Sequence, residues 1–146
     1  MSPAQRLQKA HFEALSEFRH QLSRFVHFSE TAVRRMGLTP LQYLLLLHIK
    51  GFAGREWATV SELAARLQMK HNAAVALVTR CEAQALVERR RSQRDARVVE
   101  VHLLDKGATL LEQLVDLHRS ELASLESVFK VTRITSFNER EDAPQA

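Results

Sequence analysis

Apolar residues recur at helical spacing from the start of the chain. Leu7, His11, Ala14 and Leu15, Phe18, Leu22 and Phe25 fall three and four apart, the stripe of one helix running from Leu7 to about Phe28. Phe12 and Phe28 widen that stripe. A helix so rich in phenylalanine needs a surface to bury against, either its own domain or a second copy of the chain. Gly37 interrupts the pattern, and Leu38-Thr39-Pro40-Leu41-Gln42 opens the next helix. Thr39 suits the N-cap, Pro40 the first helical position, and Gln42 the third position of a capping box. Tyr43 to Ile49 is apolar nearly all round, which predicts a central, buried helix that stops at Gly51.

Trp57-Ala58-Thr59 reads as a short strand, and Thr59-Val60-Ser61-Glu62 as a second capping box. The helix it opens would bury Leu63, Ala64 and Leu67 and end near Gln68 or Met69. After a tight turn, His71 to Ala85 is expected to form another helix, with Ala74, Leu77, Val78 and Cys81 facing inward. His71, Asn72, Ala73, Ala76, Thr79 and Arg80 are then left on its outer face. Two short helices joined in this way make a helix-turn-helix.

Leu86 to Arg91 and Val98 to Leu104 read as strands, the second alternating Val99, Val101 and Leu103 with Glu100 and His102. Ser92 to Asp95 supplies the turn of a hairpin whose tip is basic. From Asp105 the helical spacing returns, through Leu110, Leu111, Leu114, Leu117, His118, Leu122, Leu125, Val128 and Phe129, over roughly seven turns. A helix of that length has more apolar surface than a small lobe can cover, so the two terminal helices are expected to pair in a homodimer. The predicted fold is mainly α with a small β-hairpin wing, a winged helix-turn-helix flanked by N- and C-terminal dimerisation helices. The expected divisions are 1–36 for the first dimerisation helix, 37–104 for the winged lobe, and 105–146 for the last helix with a polar tail from Asn138 to Ala146.

Charge sharpens this picture through its placement. The chain carries a formal +4 and a pI near 9.7, a mild excess that many soluble proteins share. Between Arg80 and Arg97, however, arginines 80, 89, 90, 91, 94 and 97 face only Glu82, Glu88 and Asp95. A helix beside an arginine-tipped ribbon fits duplex DNA, the helix entering one groove and the arginine the next. Cys81 is the only cysteine, so no intramolecular disulfide framework exists, as expected in a reducing cytoplasm. No signal peptide is expected, and Tyr43 to Leu47 is too short to span a bilayer. There is no phosphate loop, no Gly-x-Ser-x-Gly and no nucleophile beside a base, so catalysis and a cofactor are not expected.

Leu38-Thr39-Pro40-Leu41-Gln42-Tyr43, Ser61-Glu62-Leu63-Ala64, Leu86-Val87-Glu88-Arg89 and Asp95-Ala96-Arg97, with Val101-His102-Leu103 and Lys106-Gly107 after them, resemble the MarR family of bacterial transcription regulators in order and spacing. The resemblance implies a homodimer with interlocked terminal helices, two winged lobes on a palindromic operator, and a small molecule, oxidant or metal acting from a pocket between dimer and DNA lobes. The chain departs from that pattern at several places. Lys70 stands where the family usually caps the recognition helix with Ser or Thr. Ala73, Ala74, Val75 and Ala76 replace polar and basic residues on that helix. Ala85 stands for the usual Gly after it, Leu104 for the Thr that caps the helix after the wing, and residues 131–146 are too short and polar for a full further helix.

The candidate DNA contacts are Ser61, His71, Asn72, Ala73, Ala76, Thr79, Arg80, Arg91, Arg94 and Arg97, with Arg94 at the tip placed to enter a minor groove. Asp95 and Arg97 form a candidate wing-bracing ion pair. Arg80 has an alternative as an internal salt-bridge partner, and the whole hairpin has one as a solvated charged loop. Cys81 reads as packing. Phe18, His20, Phe28, Tyr43 and His48 are candidates for an effector pocket, with simple core packing as the alternative. Seven histidines offer a zinc site only if they converge in space, and no two stand three or four residues apart. A protein-interaction module and a metal-responsive regulator are the competing readings.

Overall fold

The computed structural model describes residues 6–124. Among these, the elements run α1 (Lys9–Arg35), α2 (Pro40–Lys50), β1 (Trp57–Thr59), α3 (Val60–Leu67), α4 (His71–Ala83), β2 (Val87–Arg91), β3 (Val99–Leu103) and α5 (Asp105–Ser124). The expected apolar positions Leu125, Val128 and Phe129, and the polar tail, lie outside the described residues. Contacts group the chain into two compact units, residues 29–117 and the two chain ends, 1–28 with 118–146. The division falls inside α1 and α5.

α1 runs past Phe28 to Arg35 because nothing before Gly37 breaks a helix. Gly37 takes φ +80°, and the chain closes there through Gly37 N–H to Arg34 O at 3.0 Å and Leu38 N–H to Val33 O at 3.2 Å. Both capping boxes form as the sequence predicts. Thr39 Oγ1 accepts from Gln42 N while Gln42 Oε1 accepts from Thr39 N. Thr59 and Glu62 repeat the exchange at the start of α3. Each cap supplies about 1 kcal/mol to a helix that opens with unpaired amides.

α3 ends at Leu67 because Gln68 turns left-handed, φ 54°, which aims the chain into α4 within three residues. α4 ends at Ala83, two residues short of the expected Ala85. Ala85 adopts φ 58°, with its N–H on Glu82 O and the Leu86 N–H on Cys81 O, both at 3.0 Å. That pair of bonds is a Schellman closure, in which glycine usually takes the left-handed position. The alanine costs roughly 1 kcal/mol there and is held by the hydrogen bonds around it.

β1 joins the hairpin, so the sheet has three antiparallel strands in the order β1-β3-β2. Trp57 pairs with His102 and Thr59 with Glu100; Val87 pairs with Leu103 and Arg91 with Val99. One face of the sheet sends Ala58, Val87 and Val101 into the core with Leu45, Leu46, Ile49, Leu63, Leu77, Val78, Leu86, Leu111 and Leu114. The buried stripe of α4 is Ala74, Leu77, Val78 and Cys81, as the spacing predicts. Burial pushes the Cys81 thiol up to about 11, which leaves it protonated and inert at neutral pH. No helix among the described residues is long and apolar enough to cross a membrane.

A close backbone contact also ties the winged lobe to the start of α5. The Leu86 carbonyl accepts from Leu104 N at 3.0 Å, and Gly107 lies against it so closely that an added Cβ would sit 2.2 Å from that oxygen. Lys106 Nζ donates to Gln84 O at 3.1 Å beside it. The Lys106-Gly107 pair therefore has a steric and a capping reason. Gly107→Ala is expected to lower unfolding free energy by about 1–3 kcal/mol, the usual range for overpacking; urea denaturation followed by far-ultraviolet circular dichroism measures it.

Candidate nucleic-acid interface

The unburied side of α4 is a short surface with an apolar patch, Ala73, Val75 and Ala76, among His71, Asn72, Thr79 and Arg80. Opposite the buried stripe lie Asn72, Ala76 and Thr79, with His71 and Val75 on one flank and Ala73 and Arg80 on the other, all exposed. Lys70 is the N-cap residue and makes no side-chain cap bond, so the first amides of α4 keep their free donors.

A cleft of about 410 Å³ runs between this helix, the start of α3 and the wing. Thr59, Val60, Ser61, His71, Val75, Arg89, Arg97, Val98 and Val99 line it. Three of the sequence-predicted contacts, Ser61, His71 and Arg97, are thus brought together, on a floor of valines that sequence reasoning did not single out. Ser61 is exposed at the start of α3. Arg91 and Arg94 instead line a second cleft, of about 710 Å³, with Gly54, Arg55, Trp57, Arg90, Ser92, Gln93, Glu100 and His102.

The wing tip is shaped by short-range bonds. Ser92 Oγ accepts from the Arg94 and Asp95 amides at 3.2 and 3.4 Å, and Ser92 N–H reaches Val98 O at 2.9 Å. Asp95 Oδ1 accepts from Arg97 N at 3.0 Å and from Arg97 Nε at 3.4 Å. The backbone bond is the better of the two, and the Arg97 side chain is 92% exposed. Asp95 therefore orders the loop chiefly through the chain itself, and leaves the Arg97 guanidinium available. The Arg94 guanidinium, at the tip, has no hydrogen-bond or ion-pair partner among the described residues, and the same holds for Arg80 and Arg91.

Arg89 is the residue that sequence reasoning underused. Its Nη2 donates to Thr79 Oγ1 at 2.9 Å and to Val75 O at 3.3 Å, its Nη1 to Glu82 Oε1 at 3.2 Å, and its amide to Glu82 Oε2 at 2.9 Å. Thr79 Oγ1 in turn donates to Val75 O at 3.0 Å. One guanidinium thus ties β2 to two turns of α4. The partners come from different elements, so no local spacing in the sequence announces them. The clamp also commits the one proton of the Thr79 hydroxyl, which is no longer free to donate outward.

A second cluster braces the far side of the sheet. The Arg55 guanidinium lies 3.9 Å over the Trp57 ring and 4.3 Å over Phe52, and pairs with Glu62 of the α3 capping box. Trp57 stacks on His102 at 6.2 Å, and His102 Nε2 meets Glu100 Oε1 at 2.9 Å. Arg90 pairs with Glu88 on the same face. On α2, Gln42 is buried and donates from Nε2 to Gln84 Oε1 at 3.3 Å, a link from the capping box to the end of α4.

The five candidate pocket residues occupy separate settings. Tyr43 is part of the lobe core, and burial raises its pKa. His48 is half-buried on α2; burial, and after it the positive charge of Arg66, lower its pKa. Phe18 and Phe28 are half-buried and His20 is exposed on α1, and Phe28 and Phe25 each meet the His118 ring edge-on at 5.8 Å. Among the described residues no three His, Cys, Asp or Glu side chains are grouped to hold a metal ion.

Arg89→Met removes the clamp and keeps the aliphatic stem. Because Arg89 and Glu82 are partly solvated, a loss of only about 1 kcal/mol in unfolding free energy is expected, measured by urea denaturation beside the unaltered protein.

The sequence profile of the MarR family matches residues 36–98. From Bacillus subtilis strain 168, the HTH-type transcriptional repressor MdtR is 29% identical over 84 residues, covering 58% of this chain and 52% of that protein. The organic hydroperoxide resistance transcriptional regulator of the same organism is 32% identical over 83 residues, 57% and 54% of the two chains. The chain thus spans about half the length of these relatives. Among solved structures, a MarR family protein from Bacillus stearothermophilus superposes with a TM-score of 0.71 at 22% identity, covering 91% of each chain. AbsC, a MarR family transcriptional regulator from Streptomyces coelicolor, gives 0.69 at 20% identity over 93% and 94%. The structural likeness is one of fold and extends over nearly the whole chain, while the sequence likeness is carried by the lobe that holds both clefts. On these grounds the chain is similar to the MarR family of winged-helix regulators, in sequence over residues 36–98 and in fold over nearly its whole length.

Proposed function

We propose that this chain is a cytoplasmic DNA-binding transcriptional regulator that occupies a palindromic operator as a homodimer and acts as a repressor. The observation that carries this reading is the cleft that gathers Ser61, His71 and Arg97, on a lobe whose Arg80 and Arg94 guanidinium groups have no partner among the described residues. Unpaired arginines beside an exposed helix suit phosphates and grooves better than they suit any small neutral ligand. The relatives' names point the same way, since one is a transcriptional repressor and the other a transcriptional regulator.

In this reading α4 enters a major groove by way of His71, Asn72, Ala73, Ala76, Thr79 and Arg80. Ser61 donates to a phosphate at the start of α3, Arg91 and Arg97 follow the backbone, and Arg94 reaches a minor groove. Division at 36 and 104 into dimerisation helices and a DNA lobe fits the apolar surface on the terminal helices. Phe12, Leu15 and Val26 on α1, and Val115, Leu117 and Leu122 on α5, are all exposed in the single chain, and a second copy would cover them. A small-molecule effector would then modulate binding.

One observation favours a second reading. The exposed face of α4 carries Ala73, Val75 and Ala76, which would also suit apolar docking of a protein partner. Salt separates the two, since counterion release makes DNA binding fall steeply with ionic strength and apolar docking lacks that dependence. Arg94→Ala is expected to weaken binding to a duplex selected from random sequence by about 1–3 kcal/mol. Fluorescence anisotropy at several salt concentrations measures both the loss and the slope, and light scattering on the same samples should give the mass of two chains. Unchanged affinity in the variant would remove the wing from the interface, and a monomeric mass would remove the paired-lobe arrangement.

A further inference from the structure

We infer that α4 reads A·T base pairs, and does so largely through thymine methyl groups rather than through a set of polar contacts. This rests on the DNA-binding reading above and names the sequence class that the same surface takes.

Asn72, Ala76 and Thr79 lie opposite the buried stripe, and Val75, 37% exposed, stands beside them over the cleft. Thr79 looks polar in the sequence but has lost its donor: its proton goes to Val75 O, and Arg89 already occupies one acceptor position. What it turns outward beside Ala76 is chiefly apolar. The central polar group that remains is the Asn72 amide, one turn before Ala76. The next, Arg80, lies one turn beyond it.

Base edges in the major groove differ in what they present to such a surface. Guanine offers two acceptors, best met by arginine or lysine, and cytosine offers a donor, best met by a carboxylate. Between Asn72 and Arg80 the outward face of α4 holds neither kind of side chain, and Arg80 is the one group at its edge that could take guanine. An asparagine amide suits adenine, which presents a donor and an acceptor side by side, and alanine or valine suits the thymine C5-methyl. Both groups on this helix therefore select the same base pair from opposite strands. A G·C pair set against Val75 and Ala76 would be left with its polar edge dehydrated and unpaired, a cost with no gain to offset it. The cations at Arg91 and Arg97 follow the phosphates beside the helix, so the apolar centre needs only modest affinity of its own.

Thymine differs from uracil only by that methyl, which gives a direct test. The probes are a duplex of about 30 base pairs obtained by selection from random sequence, long enough for two half-sites, and its twin with every thymine replaced by deoxyuridine. Burying one methyl is equivalent to a factor of about four in affinity. With two or more contacts per half-site, the thymine duplex should bind at least about tenfold tighter than its twin. Val75→Ala, an exposed change to a better helix former, should reduce that ratio, whereas Arg94→Ala should weaken both duplexes and leave the ratio alone.

The outcomes separate the two levels of the reading. Salt-sensitive binding to both duplexes with equal affinity overturns methyl readout and leaves DNA binding standing. A preference for thymine that is the same in Val75→Ala also overturns it, because the methyls would then act through duplex shape. Absence of salt-sensitive binding to either duplex overturns the DNA-binding reading and this inference with it.

Discussion

The Leu86 carbonyl is the point through which the recognition helix, the wing and the last helix are held together. It follows directly on the left-handed Ala85 that ends α4, it accepts from Leu104 as the chain leaves β3, and it lies against Gly107 in the first turn of α5. Few side chains could occupy that contact: the approach leaves no room for a Cβ on Gly107, and Ala85 must stay in a conformation that costs an L-residue about 1 kcal/mol. The strain is tolerated because the same two-residue junction satisfies the last carbonyls of α4, starts β2 in register, and seats the core residue Leu86. The same junction sets where α4 ends and where β2 begins.

Arg89 extends that constraint outward. It runs from β2 back across α4 to Glu82, Thr79 and the Val75 carbonyl, spending its charge on internal geometry. The sheet's other face does the same with Arg55 on Glu62 and Arg90 on Glu88. The arginine-rich segment is therefore divided in two. Arg55 and Arg89 brace the lobe and Arg90 pairs with Glu88 along its own strand, while Arg80, Arg91, Arg94 and Arg97 carry guanidinium groups that face solvent. Only the second set contributes a field that an anionic partner would meet. The net basic balance of the sequence overstates it, and its location on α4 and the wing is what matters.

Much of the fold was legible because its signals are local. The capping boxes at Thr39 and Thr59, the apolar stripe of α4 and the alternation of β3 each lie within one helix or one strand, and each forms as read. Boundaries were less legible: α1 continues to Arg35 since its stop is a glycine beyond the apolar stripe, and α4 stops before Ala85 since the closure depends on Leu86 meeting Cys81. The strand Trp57–Thr59 was visible, but its role as the third strand depends on pairing with residues more than forty positions away. The candidate site divides similarly. Ser61, His71 and Arg97 meet at one cleft, which their motifs foreshadowed; the inward turn of the Thr79 hydroxyl and the valine floor did not follow from spacing, because Arg89, Val98 and Val99 come from another element.

The central claim is that α4 and the wing form one rigid surface for duplex DNA. Hydrogen–deuterium exchange with and without a selected duplex tests it most directly, since amides covered by a ligand exchange more slowly. The account predicts slowed exchange confined to the start of α3, to residues 71–80 and to residues 91–98 in the same complex, with β1 and the core of α2 unchanged. Protection of the wing without α4, or of neither, would contradict it.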